Sequence, residues 1–162
     1  MRNQVTSDIS KMVTKLIRTD SNNIDFRELV ALLDADLAIR DGAEHSFYAQ
    51  FNKIDKIGEV VVAYQNETAV GCGAFKEFEA KTAEIKRMFV KENMRGRGVA
   101  GEILTELETW AKEFNFAECV LETGLKQPEA IKLYQKSGYE IIPNYGQYIG
   151  VENSVCMWKV II

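Results

Sequence analysis

Histidine and proline are nearly missing from this chain: 162 residues hold one histidine, His45, and two prolines, Pro128 and Pro143. The three cysteines, Cys72, Cys119 and Cys156, stand far apart, and no C-x-x-C pair occurs. These scarcities exclude the usual zinc sites and any nucleophile activated by a histidine other than His45, so no metal is expected. Each cysteine lies in an apolar, strand-like stretch, the setting of a buried, reduced thiol. His45 is read as a surface or helix-capping residue. No apolar run approaches the length that spans a bilayer, and MRNQVTSDIS lacks the apolar stretch of a signal peptide, so a cytoplasmic protein without a membrane partner is expected. Positive charge is thin as well. The net charge is -4, and basic residues cluster only around Lys86-Arg87 and Arg95-Arg97, which leaves no extended stripe to follow a nucleic-acid backbone. Repeats, low-complexity tracts and linkers are absent. A single domain over 1–162 is therefore expected, with 1–10 as a loose N-terminal extension.

What is present is an ordinary globular composition, 46% hydrophobic and 27% charged, arranged in clear periods. Residues 12 to 19 read as a strand. Asp25 and Glu28 form a capping-box pair ahead of Phe26, Leu29, Val30, Leu33 and Leu37, which share one helical face. A second, shorter helix is expected over 45 to 54. EVVVAY, the turn Gln65-Asn66-Glu67 and AVGCGAF read as a hairpin, and residues 83 to 90 as a third strand. Val99, Ala100, Ile103, Leu104, Leu107, Trp110, Ala111 and Phe114 then form the strongest helical stripe in the chain, closed by Asn115. A strand over 117 to 123 follows. The last helix opens at Pro128, has Glu129 at its positive end and Lys132 and Lys136 toward its negative end, and stops at Gly138. YEII and a strand near 154 to 161 complete the order. Such an order is mixed α+β with a largely antiparallel sheet.

The glycine run GRGVAG, residues 96 to 101, satisfies the dinucleotide fingerprint G-x-G-x-x-G, and Glu122 lies about where a ribose-binding acid would. Five residues, Lys91 to Arg95, separate the preceding strand from Gly96, too many for that tight turn. The meander before it and the roughly 60 residues after it also leave no room for a doubly wound sheet. A Walker A loop fails because no Lys-Ser or Lys-Thr follows the glycines. A helix N-terminus remains, its free N–H groups exposed by glycine and flanked by Arg95 and Arg97; it either binds pyrophosphate or merely caps a long helix.

The stretch AEIKRMFVKENMRGRGVAGEILTELETWA resembles motif A of the GNAT superfamily of N-acetyltransferases, with Arg95, Gly98 and Ala100 at its signature positions. AIKLYQKSGY, residues 130 to 139, resembles motif B of the same superfamily. The resemblance implies a mixed, mostly antiparallel twisted sheet of about seven strands flanked by about four helices. It also implies an acetyl coenzyme A-dependent N-acetyltransferase that serves a small-molecule or peptide amine by direct attack in a ternary complex. A coenzyme A-binding regulatory module without turnover and, behind it, a nucleotide-dependent oxidoreductase are the alternatives. A homodimer is among the assemblies the superfamily permits.

Carried over residue by residue, the resemblance places the cofactor in an opening between strands 83 to 90 and 117 to 123. The backbone of Met88 and Val90, on either side of Phe89, would hold the acetyl carbonyl and pantetheine arm. The consecutive apolar residues Met88, Phe89 and Val90 fit a bulge there. The N–H groups from Arg95 through Gly96, Arg97, Gly98, Val99 and Ala100 to Gly101 would hold the pyrophosphate. Gln127 stands near a position where relatives often have an asparagine that contacts the cofactor arm. Tyr134 would protonate the departing thiolate, against the plain reading of an aromatic packed in the core. Glu84 would be the general base, against the plain reading of an exposed strand residue paired with Lys86. The loop PNYGQYIGVEN, with Tyr145 and Tyr148, and the first helices would line the acceptor side.

Overall fold

The computed structural model describes residues 14–44 and 57–162. The expected helix over 45 to 54, His45, the extension at 1–10 and the start of the first strand lie outside the described residues. The chain runs β1 (Lys15–Thr19), α1 (Ile24–Asp41), β2 (Glu59–Gln65), β3 (Thr68–Glu79), β4 (Thr82–Val90), α2 (Val99–Glu113), β5 (Glu118–Gly124), α3 (Pro128–Lys136), β6 (Glu140–Ile142) and β7 (Ser154–Val160). One seven-stranded sheet has the order β1-β2-β3-β4-β5-β7-β6. Every neighbouring pair is antiparallel except β4 and β5. Three α-helices are found among the described residues, against the four that the resemblance implies.

Strand alternation explains the two layers of core. Val60 and Val62 of β2 pack with Phe26, Leu29, Val30 and Leu33 of α1, while Val61 and Ala63 face Ile103, Leu104 and Leu107 of α2 on the other side. Both faces of β2 are therefore buried, and its run of valines suits that double burial. The β2–β3 hairpin closes on Asn66 and Glu67, with φ of 50° and 68°, the paired left-handed geometry that matches strand twist. Asn115 (φ 66°) ends α2 and Gly138 (φ 96°) follows α3, as their positions in the sequence imply.

The start of α1 differs from expectation. Asn23 is the cap, its side chain accepting from the Phe26 N–H at 2.9 Å. Asp25 sits inside the first turn and accepts the Tyr64 hydroxyl at 2.5 Å, and Glu28 is exposed. Two cap-competent residues two positions apart cannot be ranked by local pattern; Tyr64, brought from β2, engages Asp25 and leaves Asn23 to cap.

Strand β4 is irregular in two ways. Cys72 of β3 faces Phe89 and Ala74 faces Lys86, so Arg87 and Met88 together oppose Gly73. This is a bulge, with Arg87 in left-handed backbone at φ 59°. The parallel ladder with β5 is short, pairing Thr82, Ala83 and Glu84 with Glu118, Cys119 and Val120.

Candidate functional site

Where that ladder stops, the strands part and a cleft opens between α1, the sheet and the start of α3. Glu84, Lys86, Arg87 and Met88 line it from β4, Glu122, Thr123 and Gly124 from β5, and Gln127, Ala130 and Tyr134 from the α3 side. Leu33, Leu37 and Asp41 of α1 and Tyr148 of the β6–β7 loop close it. Five of the residues to which the resemblance gives a role, Glu84, Met88, Gln127, Tyr134 and Tyr148, thus share one cleft. Phe89 and Val90 do not line it. Phe89 enters the α1 core and Val90 the α2 core.

From Val90 the chain makes one 3-10 turn, Glu92–Met94, with Met94 buried in the α2 core. Arg95 is fastened back to the strand: its Nε donates to the Val90 carbonyl at 2.9 Å, and its guanidinium stands 5.6 Å from the Phe89 ring centre. Gly96 and Gly98 both have left-handed backbone, at φ 77° and 84°. No atom lies within 4 Å of where a Cβ would stand on either glycine or on Gly101. Gly98 caps α2 with no side-chain hydrogen bond, and the first-turn N–H groups of α2 have no partner within the helix. An open, side-chain-free helix N-terminus flanked by Arg95 and the exposed Arg97 fits a phosphate group.

Besides Asp41, two acidic side chains line the cleft, Glu84 and Glu122. Glu84 is 4% exposed, so it is a buried residue and not the surface partner of Lys86 that a single strand suggests. Its Oε2 accepts the Tyr145 hydroxyl at 2.8 Å, and its Oε1 lies 3.9 Å from Lys76 Nζ and 3.8 Å from Lys86 Nζ. Glu122, which sequence reasoning weighs only as a ribose ligand, is the site residue that reasoning misses. Burial pushes its carboxyl up to about 8; Asp41 and Glu84 add to the rise, while Lys86 opposes it. A carboxyl poised there changes protonation in the pH range where most proteins work.

Tyr134 is buried at 6% exposure and meets Tyr139 edge-on, with ring centres 5.9 Å apart. It both packs in the core and lines the cleft. Burial first and the charge of Glu122 second hold its phenol well above the usual range, so it stays protonated. Tyr139 is fixed by Glu108 of α2, which accepts its hydroxyl at 2.8 Å and also pairs with Lys159 at 2.8 Å. Among the described residues no group of three His, Cys, Asp or Glu could hold a metal ion, and no described helix is long and apolar enough to cross a membrane. With one parallel pair in their sheet, the described residues form no doubly wound nucleotide fold.

Comparison with known proteins agrees with this geometry. The chain is 36% identical over 89 residues to an IAA acetyltransferase of Azospirillum brasilense, a match that covers 54% of this chain and 58% of that protein. The chain thus spans little more than half the length of that relative. A Klebsiella pneumoniae protein assigned to the acyl-CoA N-acyltransferases superposes with a TM-score of 0.79 at 24% identity, over 94% of this chain and 100% of that one. The PaiA N-acetyltransferase of Thermoplasma acidophilum, solved in complex with coenzyme A, superposes with a TM-score of 0.69 at 16% identity, over 92% of this chain and 99% of that one. The model of the acetyltransferase (GNAT) family matches residues 26–139, from the first turn of α1 to the tyrosine that follows α3, and the chain belongs to that family.

Proposed function

We propose that the protein transfers an acetyl group from acetyl coenzyme A to a primary amine by direct attack within a ternary complex. The observation that carries this reading is the cleft that opens where β4 and β5 part: it brings the bulged residues Arg87 and Met88 together with Glu84, Glu122 and Tyr134, on the strand whose chain runs on into the open glycine turn at α2. The bound thioester supplies the acetyl carbonyl. The chain's own residues do the rest. The N–H groups from Arg95 to Gly101 hold the pyrophosphate, Gln127 reaches the cofactor arm, and the bulge leaves the Met88 backbone out of the β3 ladder to face the carbonyl oxygen. Val90 extends the same backbone edge.

An amine near pKa 10 arrives as an ammonium and must lose a proton before its nitrogen attacks. Glu84 is the carboxylate the sequence offers for this step. With both of its oxygens engaged by Tyr145, Lys76 and Lys86, it is better suited to draw in and align the ammonium. Glu122, poised near 8, takes the proton. As the C–N bond forms and the C–S bond breaks, Tyr134 gives its proton to the leaving sulfur and regains one from the acylated nitrogen, which sheds its second proton on becoming the amide.

Thiol release from acetyl coenzyme A, measured with a panel of amines, tests the reading. Tyr134→Phe is expected to lower kcat by about 10- to 100-fold while its KM values change little. Thiol release no faster than the protein-free background with every amine would favour a binding module without turnover, and equal, faster rates in the wild type and this variant would remove Tyr134 from the chemistry. A second expectation concerns the phosphate turn. Gly98→Ala meets no atom but must adopt a left-handed conformation, which costs about 1–2 kcal/mol and lowers Tm by roughly 5 °C. The added methyl group also intrudes on the phosphate cradle, so KM for acetyl coenzyme A should rise about tenfold, a larger effect than the loss of stability accounts for.

A further inference from the structure

Arg87 is the residue of the cleft that protein contacts leave incomplete. Its backbone is left-handed at φ 59°, a conformation unfavourable for any residue with a Cβ. Its side chain is only 3% exposed and reaches α1 through Nη1, 2.8 Å from Asp34 Oδ1. Among the described residues, Arg87 Nε is the one buried side-chain nitrogen or oxygen without a hydrogen-bond partner. A buried guanidinium N–H with no acceptor is a standing loss, and in the wall of a cleft it marks where an acceptor oxygen belongs.

The shape of the missing partner is set by the guanidinium. With Nη1 held by Asp34, the edge formed by Nε and Nη2 presents two parallel N–H donors, the fork that matches the two oxygens of a carboxylate. Lys86 precedes Arg87 and lines the same cleft, which strengthens the positive charge of this wall. Glu84 and Glu122 place two carboxyl groups beside it. A cationic fork next to carboxyl groups that can receive an ammonium is the complement of a zwitterion, and a simple alkylamine would leave the fork unfilled.

Resting on the acetyl-transfer reading of the cleft, we infer that the acceptor carries a carboxylate close to its amino group, and that Arg87 binds this carboxylate through its Nε–Nη2 edge while the amine faces Glu84 and Glu122. The acceptor is of the amino-acid class. Leu33 and Leu37, on the α1 side of the cleft, leave an apolar wall for its side chain.

The test pairs leucine, methionine, phenylalanine, glutamate and β-alanine each with its own carboxamide, using the wild-type protein and acetyl coenzyme A. At least one amino acid is expected to have a KM roughly 10- to 100-fold below that of its carboxamide, the worth of one charged bidentate contact. Arg87→Gln should bring that ratio to within about twofold, and Arg87→Lys should restore only part of it. Carboxamides used as well as the amino acids by the wild type would overturn the inference and leave acetyl transfer standing. Should no amine support thiol release, acetyl transfer itself fails, and the same pairs are read by Tm in the presence of coenzyme A. A rise with an amino acid and none with its carboxamide then supports the Arg87 contact, whereas equal rises, or none, overturn it.

Discussion

Glu122→Gln is expected to lower kcat by about a hundredfold or more and, at the same time, to make the protein more stable above neutral pH. The first effect comes from the removal of the proposed proton acceptor. In the wild type, activity should climb with pH and level off around an inflection near 8, where the Glu122 carboxyl ionises; in the variant that limb should vanish. The second effect comes from linkage. The folded protein holds the Glu122 proton up to about pH 8, whereas the unfolded chain gives it up near the ordinary value of 4.5. Between those values the folded state binds the extra proton, so the stability Glu122 contributes is full at acid pH and declines as pH rises through 8. Glutamine does not titrate. The variant should therefore match the wild type at about pH 4.5 and melt about 5 °C higher at about pH 8.5, on a difference of ~2 kcal/mol once partial solvent access and Lys86 are allowed for. Melting curves at the two pH values, beside a rate profile, check both halves. A variant that lost activity and stability together would show Glu122 to be a structural carboxylate.

Gly73→Ala should unsettle the fold more than a methyl group added at Gly98 or Gly58. A Cβ at Gly73 would stand 2.5 Å from Met88 Sδ and 2.9 Å from both Ile103 Cγ2 and Leu107 Cδ1. Met88 can move aside. Ile103 and Leu107 cannot, since both are fully buried in the α2 core. Overpacking of this kind costs about 2–3 kcal/mol, a fall in Tm of roughly 6–9 °C. Gly58→Ala, where a Cβ meets nothing within 4 Å, should change stability by less than about 0.5 kcal/mol and serves as the control. Gly73 lies opposite the bulge at Arg87 and Met88, so the displacement should also reach acetyl coenzyme A, as a higher KM. A Gly73→Ala protein with wild-type Tm would mean that α2 rides loosely on β3.

Much of this molecule is legible from local pattern, and the remainder has a common cause. The α2 stripe, the proline and glycine that bracket α3, and the Asn66-Glu67 turn depend on neighbours a few residues away, and all stand where the sequence implies. The crowding of Met88, Phe89 and Val90 even announces the bulge. Local pattern fails wherever a partner comes from far along the chain. Glu84 looks like a surface residue because nothing near it reveals Tyr145, 61 positions on, which covers it. Arg87 stands out only as one of a basic pair, with Asp34 53 positions away. Glu122 alternates with Leu121 and Thr123 as an exposed strand residue would, and only the closing of α1 and the β6–β7 loop over the cleft turns it into a group poised near 8. The capping of α1 escapes local pattern for the same reason, since Tyr64 reaches Asp25 across the sheet.

The seclusion of the three sulfurs bears on how such a protein tolerates its own product. The proposed acetyl transfer releases coenzyme A as a free thiol, and once that thiol is oxidised to its disulfide any reactive protein cysteine nearby would exchange with it. Cys72, Cys119 and Cys156 are each 0% exposed, and burial pushes their thiols up to about 12, 12 and 11. At neutral pH the anionic, exchange-competent fraction of each is on the order of one part in ten thousand or less. The folded chain therefore offers no thiolate to attack oxidised coenzyme A, and turnover should not depend on whether the surroundings are reducing or oxidising.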